Sequence, residues 1–138
     1  MSSAGEILFE KEYPSELNLV PEIQNEVKKA IKKFVPTERL DAIILGVSEA
    51  VYNSIKHGNK SDGKKKIFIL IERNEETITI SILDEGEGFD FSKIPDPTET
   101  ENILKESGRG IFIIKNVVDK LRYEFSNIGT KTILTIKL

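Results

Sequence analysis

The chain has 138 residues, of which 38% are hydrophobic and 31% charged, and its formal net charge is −3. This length predicts one domain over residues 1–138, and no apolar run approaches the ~20 residues that cross a bilayer. The lack of cysteine excludes a disulfide framework, the single histidine argues against a zinc site, and the negative charge argues against direct nucleic-acid binding. The N-terminus has no secretory signal, so we expect a cytoplasmic protein without a membrane partner.

The first part of the chain predicts an edge strand and two helices. Residues 7–13 mix apolar and charged side chains and are followed by Pro14, which is typical of an edge strand. From Asn18 onward, apolar residues recur at steps of three and four, which predicts an amphipathic helix ending before Pro36. A second helix is predicted from Thr37, the expected N-cap, to Gly58, the expected stop.

The second part predicts two hairpins with a long connection and a helix between them. Residues 67–71 and 77–82 form the first predicted hairpin, and its register places Asp84 at the far end. Residues 89–107 are polar and contain two prolines, so we expect a mobile lid or binding loop. A third helix is predicted over residues 110–119, before a C-terminal hairpin. This order predicts an α+β fold with one layer of helices on one largely antiparallel sheet.

Two polar residues of the second helix, Glu49 and Asn53, are four positions apart and therefore share one helix face. A carboxamide oxygen suits Mg²⁺, and a carboxylate beside it can orient or deprotonate an attacking group. Taken alone, both residues are better explained as solvent-facing helix positions without chemistry. His57 lies one turn further along, and we expect it to cap the end of the helix rather than take part in catalysis.

The pentapeptide at residues 84–88 reads DEGEG and follows the first hairpin. Asp84 could accept a hydrogen bond from the exocyclic amine of adenine, a contact that the oxygen of guanine cannot make. Gly86 and Gly88 would let the backbone approach the base and the ribose. A plain Asp-Gly turn between a strand and a loop explains the pentapeptide as well.

The tripeptide Gly108-Arg109-Gly110 stands where the polar connection meets the third predicted helix. Free N–H groups and the dipole at a helix N-terminus attract phosphate, and Arg109 and Lys105 could add positive charge. The alternative is a hinge whose glycines serve only for turning. The spacing is not that of a Walker A loop or a dinucleotide fingerprint, so a phosphate site here would be of another type.

In this order, four segments resemble the N, G1, G2 and G3 boxes of the GHKL ATPase superfamily: residues 49–53 with His57-Gly58, residues 84–88, residues 107–110, and Gly129-Thr130. The short length and the segments VSEAV at 47–51 and GIFII at 110–114 resemble the bacterial anti-sigma factor serine/threonine-protein kinases of the partner-switching type. The resemblance covers nearly the whole chain. One departure is Asn59, which stands where an aromatic residue is frequent in the close kinases.

The resemblance implies an α/β sandwich of the Bergerat ATP-binding type, with a mixed, mostly antiparallel sheet covered on one face by helices and a mobile ATP lid. Asn53 would hold Mg²⁺ and Glu49 would be the catalytic base. Asp84 would bind adenine, and Thr130 would support the adenine side. The other residues that would contact ATP are Gly86, Gly88, Lys105, Gly108, Arg109 and Gly110.

The implied function is that of an ATP- and Mg²⁺-dependent serine/threonine protein kinase that is also an anti-sigma factor. It would sequester a sigma factor and phosphorylate an anti-anti-sigma partner of the STAS type, and such proteins commonly act as homodimers. One alternative is an ATP-binding module that sequesters a protein partner without phosphotransfer, and another is a stand-alone nucleotide hydrolase. Histidine kinase domains share these boxes, but we expect no room for the dimerisation helix that they need.

Overall fold

The computed structural model describes residues 5–59, 62–86 and 110–138, and its five strands form one sheet. The strands are β1 (Glu6–Pro14), β2 (Lys66–Arg73), β3 (Thr77–Asp84), β4 (Lys120–Ser126) and β5 (Gly129–Lys137). Their order across the sheet is β1-β2-β3-β5-β4, and each neighbouring pair is antiparallel. The predicted α+β class and the edge position of β1 are confirmed. Where a mixed sheet was expected, these five strands are antiparallel throughout.

Three helices accompany the sheet in the described part of the chain. They are α1 (Val20–Ile31), which a 3₁₀ turn at Leu17–Leu19 precedes, α2 (Thr37–Asn53), and α3, which is helical over residues 110–117. A π-helical turn at Ser54–Gly58 continues α2. Of the helices that the structure describes, none is long and apolar enough to cross a membrane.

The core lies between the helices and one face of the sheet. Alternate residues of β2 and β3 point to this face because successive side chains of a strand point in opposite directions. The register pairs Ile69 with Ile82 and Ile71 with Ile80, and all four side chains are fully buried. Each such burial contributes about 1.5–3 kcal/mol to folding. The helices complete the core with Ile23, Val27 and Ile31 from α1, Ile43, Val47 and Val51 from α2, and Ile114 from α3.

The second helix does not begin with the predicted cap. Thr37 is the first helical residue, and Pro36 is the N-cap, without a side-chain capping bond. The carbonyl of Pro36 accepts the N–H groups of Arg39 and Leu40 at 2.9 and 3.1 Å. The prediction of Thr37 as the N-cap was therefore wrong by one residue, because Pro36 already has the extended backbone that a cap requires.

The third helix ends two residues before the predicted end. Asp119 leaves the helix because it joins the sheet: its N–H donates to the carbonyl of Thr135 at 2.9 Å. Its carboxylate accepts the N–H of Lys137 at 2.6 Å. These bonds to β5 compete with the helical bonds, which the apolar spacing of the sequence could not indicate.

Candidate functional site

Asp84 ends β3 as a buried carboxylate that the backbone holds in place. Its exposed fraction is 2%. Oδ1 accepts the N–H of Gly86 at 2.9 Å and the N–H of Thr130 at 3.2 Å. Burial raises the pKa of Asp84, while these two hydrogen bonds and the charge of Lys65 act in the opposite direction. The carboxylate therefore has a defined orientation, which the ends of β3 and β5 determine together.

Three glycines allow the backbone to close around this carboxylate. A Cβ atom at Gly58 would overlap the carboxylate of Asp84 and lie 3.0 Å from Oδ1. A Cβ at Gly86 would overlap the carbonyl of Gly58, and a Cβ at Gly129 would overlap the carbonyl of Asp84. Gly129 also has a φ of +154°, which residues with side chains rarely adopt. A side chain at any of these positions would displace Asp84 or the segment after it.

The π-helical turn after α2 connects the polar face of this helix to Asp84. The N–H of Asn59 donates to the carbonyl of Ser54 at 2.8 Å, five residues back, and such turns are frequent at functional sites. Gly58 closes the turn against Asp84. Since Gly58 follows Asn53 by five residues, the two ends of the site are about 7 Å apart along the helix axis.

Glu49 and Asn53 lie together beside the first described residue of α3. A Cβ atom at Gly110 would be 2.9 Å from Oε2 of Glu49, 3.5 Å from Nδ2 of Asn53 and 3.8 Å from Oδ1 of Asn53. Both side chains are half-buried rather than fully exposed. The structure thus brings together residues from two segments that are far apart in the sequence, and it places both polar side chains against a glycine of α3.

The packing of α3 along α2 explains this contact. Further down the pair, a Cβ at Gly46 would overlap Cγ2 of Val117 and lie 3.8 Å from Cα of Ile114. Since Gly46 faces residue 117 while Asn53 faces residue 110, the two helices run antiparallel. The close approach at Gly46 and Gly110 keeps the start of the described part of α3 next to Glu49 and Asn53.

The described residues of the four sequence motifs lie at the two ends of the π-helical turn after α2. A comparison with protein families identifies the type of domain. Residues 13–136 match the family described as "Histidine kinase-like ATPase domain". The chain belongs to this family. Membership in this ATPase family supports ATP as the nucleotide that the chain uses, and it agrees with the predicted resemblance to the GHKL superfamily.

Two curated relatives of this ATPase domain are named for kinase and anti-sigma functions. The "Serine-protein kinase RsbW" of Staphylococcus aureus (strain MSSA476) is 39% identical over 84 residues, which are 56% of this chain and 53% of that protein. The "Anti-sigma F factor" of Lysinibacillus sphaericus is 35% identical over 77 residues, which are 54% of this chain and 53% of that protein. The matched segments thus cover about half the length of these relatives.

Solved structures show the same fold at low sequence identity. The RsbU and RsbW domains of Rv1364c from Mycobacterium tuberculosis superpose with a TM-score of 0.62 at 16% identity, over 94% of this chain and 32% of that chain. The histidine kinase domain of the blue-light activated histidine kinase from Erythrobacter litoralis EL346 gives 0.60 at 17% identity, over 100% and 65% of the two chains. The chain therefore shares its fold with domains of both of these structures.

The sequence-predicted site residues fall into two groups. The structure places Glu49, Asn53 and Gly110 together, and it places Asp84, Gly86 and Thr130 together at the other end of the π-helical turn. Lys105, Arg109 and the remaining glycines, Gly88 and Gly108, lie outside the described residues, as does the predicted lid. The predicted roles of all these residues toward ATP and Mg²⁺ stay predictions.

Sequence reasoning missed the part that Gly58 and Asn59 play. Gly58 was predicted as the end of the second helix and as part of the first motif, but its packing against the Asp84 carboxylate was not predicted. Asn59 was noted only as a departure from the close kinases, yet it is fully buried. The polar end of the second helix, with its glycine, was the signal available in the sequence. It could not show which segments Gly58 and Asn59 contact, because those contacts depend on the fold.

Proposed function

We propose that this chain is a cytoplasmic, ATP- and Mg²⁺-dependent serine/threonine protein kinase that also acts as an anti-sigma factor. The observation that carries the proposal is the position of Glu49 and Asn53 against Gly110, one π-helical turn from the buried Asp84. The resemblance implies that these residues would serve as the base, the Mg²⁺ ligand and the adenine-binding acid of such a kinase. The names of the matched relatives agree with this function.

Asp84 is proposed to select adenine. Its carboxylate is an acceptor only, so it suits the exocyclic amine of adenine and repels the oxygen that guanine or hypoxanthine carries at the same position. The backbone N–H groups of Gly86 and Thr130 hold Oδ1 and thereby orient the carboxylate. The contact is specific because the acid is buried, where an unpaired polar group is costly.

Asn53 and Glu49 are proposed to act at the phosphate end. Asn53 would hold Mg²⁺ through its carboxamide oxygen, and the bound ion would supply charge neutralisation at the phosphates. Mg²⁺ usually keeps several waters and takes phosphate oxygens as ligands, so a single carboxamide oxygen could hold it beside the nucleotide. Glu49 would orient the acceptor hydroxyl and take its proton. Gly88, Lys105, Gly108 and Arg109 are proposed to border the nucleotide.

The proposed partners are a sigma factor and an anti-anti-sigma protein of the STAS type. Affinity capture from the source cell's extract, with and without ATP, should retain both classes of protein and identify the acceptor. With labelled ATP, the chain should then phosphorylate a serine or threonine of that acceptor. Glu49→Gln should abolish transfer, while Glu38→Gln, in the first turn of the same helix, should not. Full transfer by the Glu49 variant would contradict the assigned role.

A second candidate is an ATP-binding module that sequesters a protein partner without phosphotransfer. The relatives' names favour this candidate in one respect, since one of them is named only as an anti-sigma factor. It predicts ATP-dependent capture of a partner and no label on any captured protein. Turnover of ATP without any partner would instead indicate a stand-alone hydrolase.

We further propose that the chain forms a homodimer through the face of the sheet that points away from the core. This face carries the half-buried side chains of Phe68, Leu70 and Leu83, and Phe68 pairs with Leu83 across β2 and β3. Partly exposed apolar side chains that are grouped on one sheet face favour association with a second copy. Light scattering should give twice the chain mass for the wild type and the chain mass for Leu83→Lys. The control Ile128→Lys, in a turn with 73% exposure, should stay dimeric. A monomeric wild type would overturn the proposal.

A further inference from the structure

Asn59 connects three segments of the chain around the proposed adenine end. Its exposed fraction is 0%. Nδ2 donates to Oγ of Ser15, just after β1, at 3.1 Å, and to the carbonyl of Lys66, at the start of β2, at 3.0 Å. Oδ1 accepts the N–H of Glu85, directly after β3, at 2.8 Å. The three hydrogen bonds of this carboxamide thus reach three different segments of the chain.

The hydrogen bond from Glu85 to Asn59 lies next to the carboxylate that is proposed to bind adenine. Glu85 is preceded by Asp84 and followed by Gly86, whose N–H holds Oδ1 of Asp84. The side chain of Glu85 is tied as well, since its Oε2 accepts the N–H of Lys66 at 3.3 Å. Both the backbone and the side chain of Glu85 are therefore held by hydrogen bonds to neighbouring segments.

Asn59 also belongs to the turn after α2, which packs against the other side of Asp84. It directly follows Gly58, and Gly58 packs against both the carboxylate of Asp84 and the backbone of Gly86. The backbone N–H of Asn59 donates to Ser54, so the turn itself cannot rotate freely. One side chain therefore couples the turn after α2 to the turn after β3.

We propose that Asn59 is a positioning residue that sets the base selectivity of the nucleotide site through Glu85 and Asp84. This inference rests on the proposed function, in which Asp84 reads the exocyclic amine of adenine. Only a carboxamide both donates two hydrogen bonds and accepts a third in this arrangement.

The test compares the affinities for ATP and ITP, because ITP carries an oxygen where ATP carries the amine. Isothermal titration should show that the wild type prefers ATP by about 10-fold or more, the value expected for one hydrogen bond to a charged group. Asn59→Ala should reduce this preference to less than about 3-fold by weakening ATP binding, while the affinity for ITP stays within about 2-fold. Asn59→Ser, whose side chain is too short to reach Glu85, should behave in the same way if the alanine variant does not fold.

The matched control is Ser15→Ala, which removes one bond of Asn59 and leaves its bonds to Lys66 and Glu85 intact. It should lower the melting temperature but keep the preference for ATP. A loss of both nucleotides by the same factor in the Asn59 variants would overturn the positioning role and leave a purely structural one, and unchanged preference would also overturn it. Equal binding of ATP and ITP by the wild type would refute the adenine contact of Asp84 itself, so the two failures are distinguishable.

Discussion

Replacing Asp84 by asparagine should weaken the binding of ATP without lowering the stability of the fold. Oδ1 is engaged by the N–H groups of Gly86 and Thr130, so the carboxamide oxygen of the variant will take that place. Its NH₂ group will then occupy the position of Oδ2 and face the amine of adenine, donor against donor. A hydrogen bond to a charged group contributes about 1.5–3 kcal/mol, which predicts about 10- to 100-fold weaker ATP binding.

The assay is isothermal titration with ATP, and a second aspartate provides the control. Asp119 also accepts a backbone N–H of β5, from Lys137, but it lies at the opposite end of that strand from Thr130. Asp119→Asn should therefore leave the affinity for ATP unchanged. If Asp84→Asn binds ATP as tightly as the wild type, the carboxylate does not contact the base.

The stability of the Asp84→Asn variant should not fall together with its affinity for ATP. Burial raises the pKa of Asp84 in the folded protein, so above that pKa the charged form costs stability, and this cost disappears as the pH falls through it. Asparagine carries no charge at any of these pH values. The variant should thus be at least as stable as the wild type at pH 7, and its advantage should shrink in acid. Denaturant titrations at several pH values measure this difference, and a variant that is less stable at pH 7 would refute the reasoning.

Three further predictions concern two glycines of the site and the distant Asp119. Gly58→Ala should lower the free energy of unfolding by about 1–3 kcal/mol and weaken ATP binding, because its Cβ meets the Asp84 carboxylate. Gly63→Ala, with its nearest contact a side-chain atom at 3.5 Å, should change neither in the same denaturation and binding assays. Gly110→Ala should keep the melting temperature but reduce phosphotransfer by up to about 100-fold, because its Cβ displaces the Glu49 carboxylate. Asp119→Asn should lose stability at pH 7, and the loss should fade as the pH falls, since the backbone bond from Lys137 lowers the pKa of Asp119.

The sequence predicted the elements well because their patterns are local. Alternation at Ile78, Ile80 and Ile82 indicated a strand and the face that it buries, since the side-chain period of a strand is two. Glu49 and Asn53 could be paired in advance because four residues make about one helical turn. The error at Thr37 arose because Pro36 already has the extended backbone of an N-cap, and the error at Asp119 arose because its backbone N–H bonds to β5 rather than to its own helix.

The proposed adenine end could be predicted only as a motif, because its contacts cross long separations. The bond from Thr130 to Asp84 spans 46 residues, and the bond from Glu85 to Asn59 spans 26. Neither is visible in a local pattern. The sequence by itself determined which residues form strands and helices and which polar groups stand at their ends. Only the tertiary structure decided that β5 lies next to β3 and that Gly58 and Asn59 turn back onto Asp84, because strand order and close backbone contact depend on how the whole core packs.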